Sequence, residues 1–287
     1  MRKWLLVASG LVALALAARP AAGTVPGLNG RIAFVRLENG VGQIYLVNPD
    51  GSGLTRLPGR GNQDDPSWSP DGARLAFESG GSIYVANPDG SAAARVTRSR
   101  TDRDPCWSPD GRRLAFTRVR NANQDLFAVN VDGSGLVRLT QSGARDQEAA
   151  WSPDGSRIAF ASRRVGNWEL YVMNADGRGE RRLTRTQATE GLPAWSPDGT
   201  RLAYYRKRGL AADVYVLSLI GGAPQRLTAD PANDDNPAWS PDGTRIVFAS
   251  DRRRVSKLFV MLADGSGVVP LTTGGERDDL PDWQTLR

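Results

Sequence analysis

The sequence predicts an all-β fold: a six-bladed β-propeller of four-stranded antiparallel blades, its ring closed by the C-terminal strand joining the N-terminal blade. Three observations carry that reading. Trp-Ser-Pro-Asp-Gly recurs at Trp68, Trp107, Trp151, Trp195 and Trp239, with spacings of 39, 44, 44 and 44 residues. One residue beyond each pentad stands Arg-(Leu/Ile)-(Ala/Val)-(Phe/Tyr), beginning at Arg74, Arg113, Arg157, Arg201 and Arg245. The repeats open on an Arg31-Ile32-Ala33-Phe34 that lacks its tryptophan and end on a Pro281-Asp282-Trp283 with no unit behind it. Internal periods of about 40–45 residues built of short strands mark propeller blades.

The elements follow in chain order. Arg2 and Lys3 precede a 15-residue apolar run from Trp4 to Ala18, which Arg19 and Pro20 end. That run is shorter than the roughly 20 residues of a spanning helix and suits a signal peptide. Small residues offer cleavage after Ala17 or after Gly23, so residues 1–23 are expected to be a leader and 24–287 the propeller. The product is expected to be exported, periplasmic or extracellular, with no integral membrane segment after cleavage. No cysteine follows the apolar run to carry a lipid anchor.

Each unit then reads as four strands. Pro-x-Trp forms the first, and Ser-Pro-Asp-Gly the turn, with proline presetting φ, aspartate bonding local backbone and glycine accepting positive φ. Arg-Ile-Ala-Phe forms the second strand. An apolar-aromatic run such as Leu170-Tyr171-Val172-Met173 forms the third, and a short run such as Arg182-Leu183-Thr184 the fourth. The orphan strand around Trp283 is expected to complete the first blade as its innermost strand, which removes free sheet edges. A tryptophan that recurs once per blade is expected between adjacent sheets, where each ring buries about 150–250 Å². Trp168 lies outside this register and is expected to be exposed. Cys106 stands where other units have Ala150, Ala194 and Ala238, and reads as a small core residue.

Composition limits the chemistry. The 287 residues contain one cysteine and no histidine, which removes intramolecular disulfides, Cys-rich metal sites and the commonest general base. The net charge of +6 falls to +3 without the leader's Arg2, Lys3 and Arg19, too little for a nucleic-acid footprint.

The repeated Pro-Ala-Trp-Ser-Pro-Asp-Gly, Arg-Ile-Ala-Phe, Tyr-Val-Met-Asn-Ala-Asp-Gly and Arg-Leu-Thr resemble the TolB-like (PD40) propeller repeat over residues 27–287. The resemblance implies six blades and a binding role of the TolB class, in which a periplasmic protein of the Tol-Pal envelope system holds a lipoprotein on its propeller. TolB proper carries an α/β domain before its propeller, whereas only residues from about Thr24 to Asn29 precede the first blade here. Similar propellers gate prolyl-oligopeptidase-like peptidases. This chain has no Gly-x-Ser-x-Gly elbow, no phosphate-binding Gly-x4-Gly-Lys-(Ser/Thr) loop and no EF-hand spacing.

A binding surface remains. Five residues before each tryptophan stand Gln63, Asp102, Asp146, Glu190, Asp234 and Asp278. The five acids are expected at the channel mouth, where a cation such as calcium or a cationic peptide would be drawn. The loops between second and third strands offer a basic rim on the same face: Arg118 and Arg120; Arg163 and Arg164; Arg206, Lys207 and Arg208; Arg252, Arg253 and Arg254. The plainer expectation is that each acid caps its loop or pairs with a nearby arginine such as Arg103, Arg145 or Arg277. The sequence reads as a monomeric, non-catalytic module for a protein or peptide partner, such as an envelope lipoprotein, with no required cofactor. The alternatives are a propeller hydrolase using channel carboxylates, a Tol-Pal-like component, or a scaffold without a specific ligand.

Overall fold

The structure, a computed structural model, describes residues 26–59 and 61–286. The expected leader, residues 1–23, lies outside them. Twenty-four strands form six four-stranded antiparallel sheets, and no helix occurs among the described residues. Blades 2 to 6 run in chain order from inner strands Asp64–Trp68, Asp102–Trp107, Asp146–Trp151, Thr189–Trp195 and Asp234–Trp239. In blade 1 the C-terminal strand Arg277–Leu286 pairs with Leu28–Glu38, followed by Val41–Val47 and Thr55–Arg56. Trp283 sits opposite Ile32 and Asp278 opposite Arg36, so the ring closes by strand pairing as the orphan strand predicts.

Local chemistry explains the turns. In the first pentad, Ser69 Oγ accepts the Arg74 N–H at 2.8 Å and donates to Asp71 Oδ1 at 2.5 Å. Gly72 adopts a φ of +66°, and a Cβ there would lie 2.1 Å from the Thr285 carbonyl oxygen, so both backbone angle and space demand glycine.

The six register tryptophans are all buried and pack between sheets. At four of the blade junctions the arginine at the start of the second strand stacks on the tryptophan of the next blade. Arg74 lies 4.9 Å from the Trp107 ring and Arg201 4.5 Å from that of Trp239. The tryptophan therefore binds each blade to its neighbour by apolar burial, joined at these four junctions by cation–π attraction. Each blade adds a cross-strand aromatic pair, such as Phe116 with Phe127 at 5.9 Å. Trp168, expected to be exposed, is half-buried.

Every inner strand carries a β-bulge. Asp64 pairs with Glu78 but Ser67 with Ala76, so the inner strand spends one extra residue, and the same break recurs in all six blades. The residue three before each tryptophan takes positive φ: Asp65, Asp104, Glu148, Leu192, Asn236 and Leu280, between 50° and 59°. For non-glycine residues this conformation costs about 1–3 kcal/mol each, and its sixfold recurrence sets the lining of the channel.

Candidate functional site

The five acids expected at the channel mouth are not there. Asp102, Asp146, Glu190, Asp234 and Asp278 are fully buried, each neutralised by an arginine from its own blade. Arg118 forks onto Asp102 with contacts of 2.5 and 2.7 Å. Arg36 grips Asp278 at 2.6 and 2.9 Å, and Lys257 Nζ adds a third contact at 3.0 Å. The guanidinium groups lie on the aromatic pairs, with Arg118 at 5.2 Å from Phe116 and 5.0 Å from Phe127.

The bulge is the physical reason. Alternation counted back from Trp107 puts Cys106, Asp104 and Asp102 on one face, but the extra residue reverses the face of everything before it. Asp104 stays on the channel and Asp102 turns into the blade.

The expected basic rim divides accordingly. Arg118, Arg164, Arg206 and Arg252 point inward as counter-ions, while Arg120, Arg163, Lys207, Arg208, Arg253 and Arg254 are exposed. Two of the arginines expected as alternative partners are engaged otherwise, Arg277 on Asp279 at 2.7 Å and Arg103 beside Asp104 at 3.6 Å. A sequence signal for the pairing existed. Blade 2 lacks the acid, having Gln63, and its second strand ends in Ser79-Gly80-Gly81 without an arginine. Acid and base disappear together, as a buried pair requires.

The channel itself encloses about 390 Å³. Its first ring is the bulge set, Asp65, Asp104, Glu148, Leu192, Asn236 and Leu280, and the next is Ser67, Cys106, Ala150, Ala194, Ala238 and Asp282. Cys106 is half-buried: it packs against the core around Trp151, as expected, while also lining the channel wall, and burial pushes its thiol up to about 12. Acids cluster on one side of the first ring, and Asp235 and Asp279 stand beside its other side. Asp65 Oδ2 accepts the Asp104 N–H at 3.1 Å, Glu148 Oε2 that of Leu192 at 2.6 Å, and Asp282 Oδ2 that of Trp68 at 2.6 Å. These carboxyls therefore bridge blades as well as face the channel.

Their surroundings oppose ionisation. Burial, then the neighbouring Asp104, pushes Glu148 up to about 7. Burial and Asp279 do the same for Asp235, also about 7, and burial lifts Asp282 to about 6. Asp65 is raised well above the usual carboxylate range by burial and by Asp104 and Asp64. The channel accordingly favours an incoming positive charge or a proton. Among the described residues, no three acidic or thiol side chains converge to hold a metal ion, so the attraction is diffuse.

Comparison with known proteins bears on the fold first. The family model described as "TolB beta propeller domain" matches residues 99–190 and 181–285, more than half of the chain. The chain belongs to the TolB β-propeller family. The propeller of this TolB-family chain is similar to the crystal structure of TolB from Acinetobacter baumannii, at 23% identity and a TM-score of 0.79, covering 89% of this chain and 66% of that one. A putative TolB from Agrobacterium tumefaciens matches at 23% identity and 0.68, over 85% and 88%. Puromycin hydrolase, at 19% identity and 0.61, shares the fold over 85% of this chain and 45% of its own. No curated protein sequence matches. Among the described residues, no helix is long and apolar enough to cross a membrane.

Proposed function

We propose that this TolB-family propeller is an exported, non-catalytic module that binds a cationic segment of a protein or peptide in its channel. The carrying observation is the set of channel carboxyls, Asp65, Asp104, Glu148 and Asp282, held in a site that disfavours their charge until a positive group arrives. A bound lysine or arginine side chain restores the charged form of these acids, and the field of a narrow mouth concentrates such groups. Export is supported by the leader pattern of residues 1–23, and a protein partner by the family, in which an envelope lipoprotein is the partner class to try first. A Tol-Pal-like role is the finer form of this reading.

Calorimetric titration of a Lys/Arg-rich peptide tests it. Asp104→Asn with Glu148→Gln is expected to weaken binding about tenfold, and added salt to weaken it further. Equal binding by the double variant would remove the channel from the reading. The alternative, a hydrolase using channel carboxylates, gains support only from fold neighbours such as puromycin hydrolase. Turnover of a chromogenic ester or glycoside that Glu148→Gln abolishes would replace the binding reading with it.

A further inference from the structure

The channel leaves one feature of the molecule unused. Antiparallel alternation places the hairpins between second and third strands on the same face as the loops that lead into each blade. Backbone bonds join them, from Arg163 N–H to Arg145 O at 2.9 Å and from Glu190 N–H to Trp168 O at 3.0 Å. The opposite face is made of Asp-Gly turns and carries their aspartates, such as Asp71, Asp110 and Asp132. The hairpin face is basic.

Between blades 4 and 5 that face sinks into a groove of about 1040 Å³, lined among others by Arg182, Arg185, Thr186, Lys207 and Arg208. Arg182 is tied to the buried Glu169 at 2.8 Å. Arg185, Lys207 and Arg208 are exposed and have no ion pair or side-chain hydrogen bond among the described residues. Three like charges around one concavity repel one another and contribute nothing to folding.

Apolar side chains stand beside them. The strands Arg201–Arg208 and Ala211–Ser218 project two residues further than their counterparts in blades 4 and 6, and lift Leu210 to 92% exposure at the tip. Val165, 45% exposed, and the half-buried Trp168 occupy the adjacent hairpin. A free phosphate or an acidic peptide satisfies the cations but leaves Leu210 in water. A bilayer takes both, because cations meet headgroup phosphates while apolar tips and tryptophan enter the interfacial layer.

We propose that blades 4 and 5 dock this protein on an anionic phospholipid surface, with headgroup phosphates at Arg185, Lys207 and Arg208 and the Leu210 side chain inserted below them. The inference is independent of what the channel binds.

Vesicle co-sedimentation tests it on the chain from Thr24 onward, whose ring closes without the leader. Vesicles of phosphatidylcholine mixed with phosphatidylglycerol are expected to bind it, and phosphatidylcholine alone to leave it in solution. Each cation near such a surface strengthens partition about fivefold, so Arg185→Gln, Lys207→Gln, Arg208→Gln together are expected to weaken binding about a hundredfold. Leu210→Ser is expected to weaken it about tenfold through lost apolar burial. All four positions are exposed, and unchanged thermal melts would confirm that the variants fold. The proposal fails if the anionic vesicles do not bind, if neutral vesicles bind equally, or if either variant partitions like the wild type. Capture of the wild type by poly-glutamate but not by vesicles would assign the face to an acidic protein and overturn the lipid reading.

Discussion

Asp102 and Asp104 stand two residues apart in one strand and lead opposite lives. Asp102 is sealed inside blade 3 against the Arg118 fork, with two aromatic rings under the guanidinium. Asp104 faces the channel from the bulge, with Arg103 at 3.6 Å and with Asp65 and Glu148 as acidic neighbours. The same side chain is a structural counter-ion in one place and a source of unbalanced field in the other. What separates them is one extra backbone residue, repeated in every blade. An acidic residue is defined here by the face it is turned to, not by its spacing from the tryptophan.

The largest test of this contrast removes one partner of a buried pair. Asp278→Asn leaves Arg36 and Lys257 buried without their counter-charge, and urea denaturation is expected to show a loss of about 3–5 kcal/mol. Asp104→Asn relieves like-charge repulsion and is expected to cost no more than about 1 kcal/mol. Similar losses at both sites would erase the distinction.

A smaller effect lies in pH. Glu148 and Asp235 keep their protons in the folded chain up to about pH 7, whereas unfolded carboxyls release them near pH 4. The native state therefore binds more protons in that window, and stability is expected to fall as pH rises from about 4 to about 7 and to level off above it. Each group accounts for at most about 3–4 kcal/mol of the fall, and for less to the extent that solvent screens these half-buried carboxyls. Combining Glu148→Gln with Asp235→Asn is expected to flatten the slope and to raise stability at pH 8. A wild-type profile that instead rises through this window would show the channel acids to be ordinary surface carboxylates.

The smallest effect is expected at Cys106. It lines the second ring where blades 4 to 6 carry alanine, so Cys106→Ala is expected to shift stability by less than about 0.5 kcal/mol. A thiol pushed up to about 12 is scarcely thiolate at neutral pH, and labelling by a maleimide at pH 7 is expected to be slow against free cysteine. Rapid labelling would mean that the channel wall is wetter and more electropositive than its carboxyls imply.

Legibility in the sequence followed periodicity. Six blades, the tryptophan seam and the closing strand could all be read, because each depends on a residue type that recurs at one position and whose packing or turn chemistry admits few alternatives. The stacking of Arg74, Arg113, Arg157 and Arg201 on the next blade's tryptophan was hidden, since it joins residues 33 to 38 positions apart through the turn of the ring. The candidate site was misplaced by two residues. The acids nearest the true channel, Asp65, Asp104 and Glu148, fill only half of their ring, with Leu192, Asn236 and Leu280 completing it, so no repeat pattern advertised them.

By itself the sequence determined the architecture of this TolB-family propeller. A 44-residue unit with fixed turn chemistry and one large aromatic can bury its surface only by stacking on copies of itself around a ring. Tertiary structure alone decided which acids are buried and which face the channel. A β-bulge leaves no mark in hydrophobic alternation, and a single extra residue reverses the face of every side chain before it. How far the hairpin that carries Leu210 projects was likewise settled only by the structure, where its strands run two residues beyond their counterparts in blades 4 and 6.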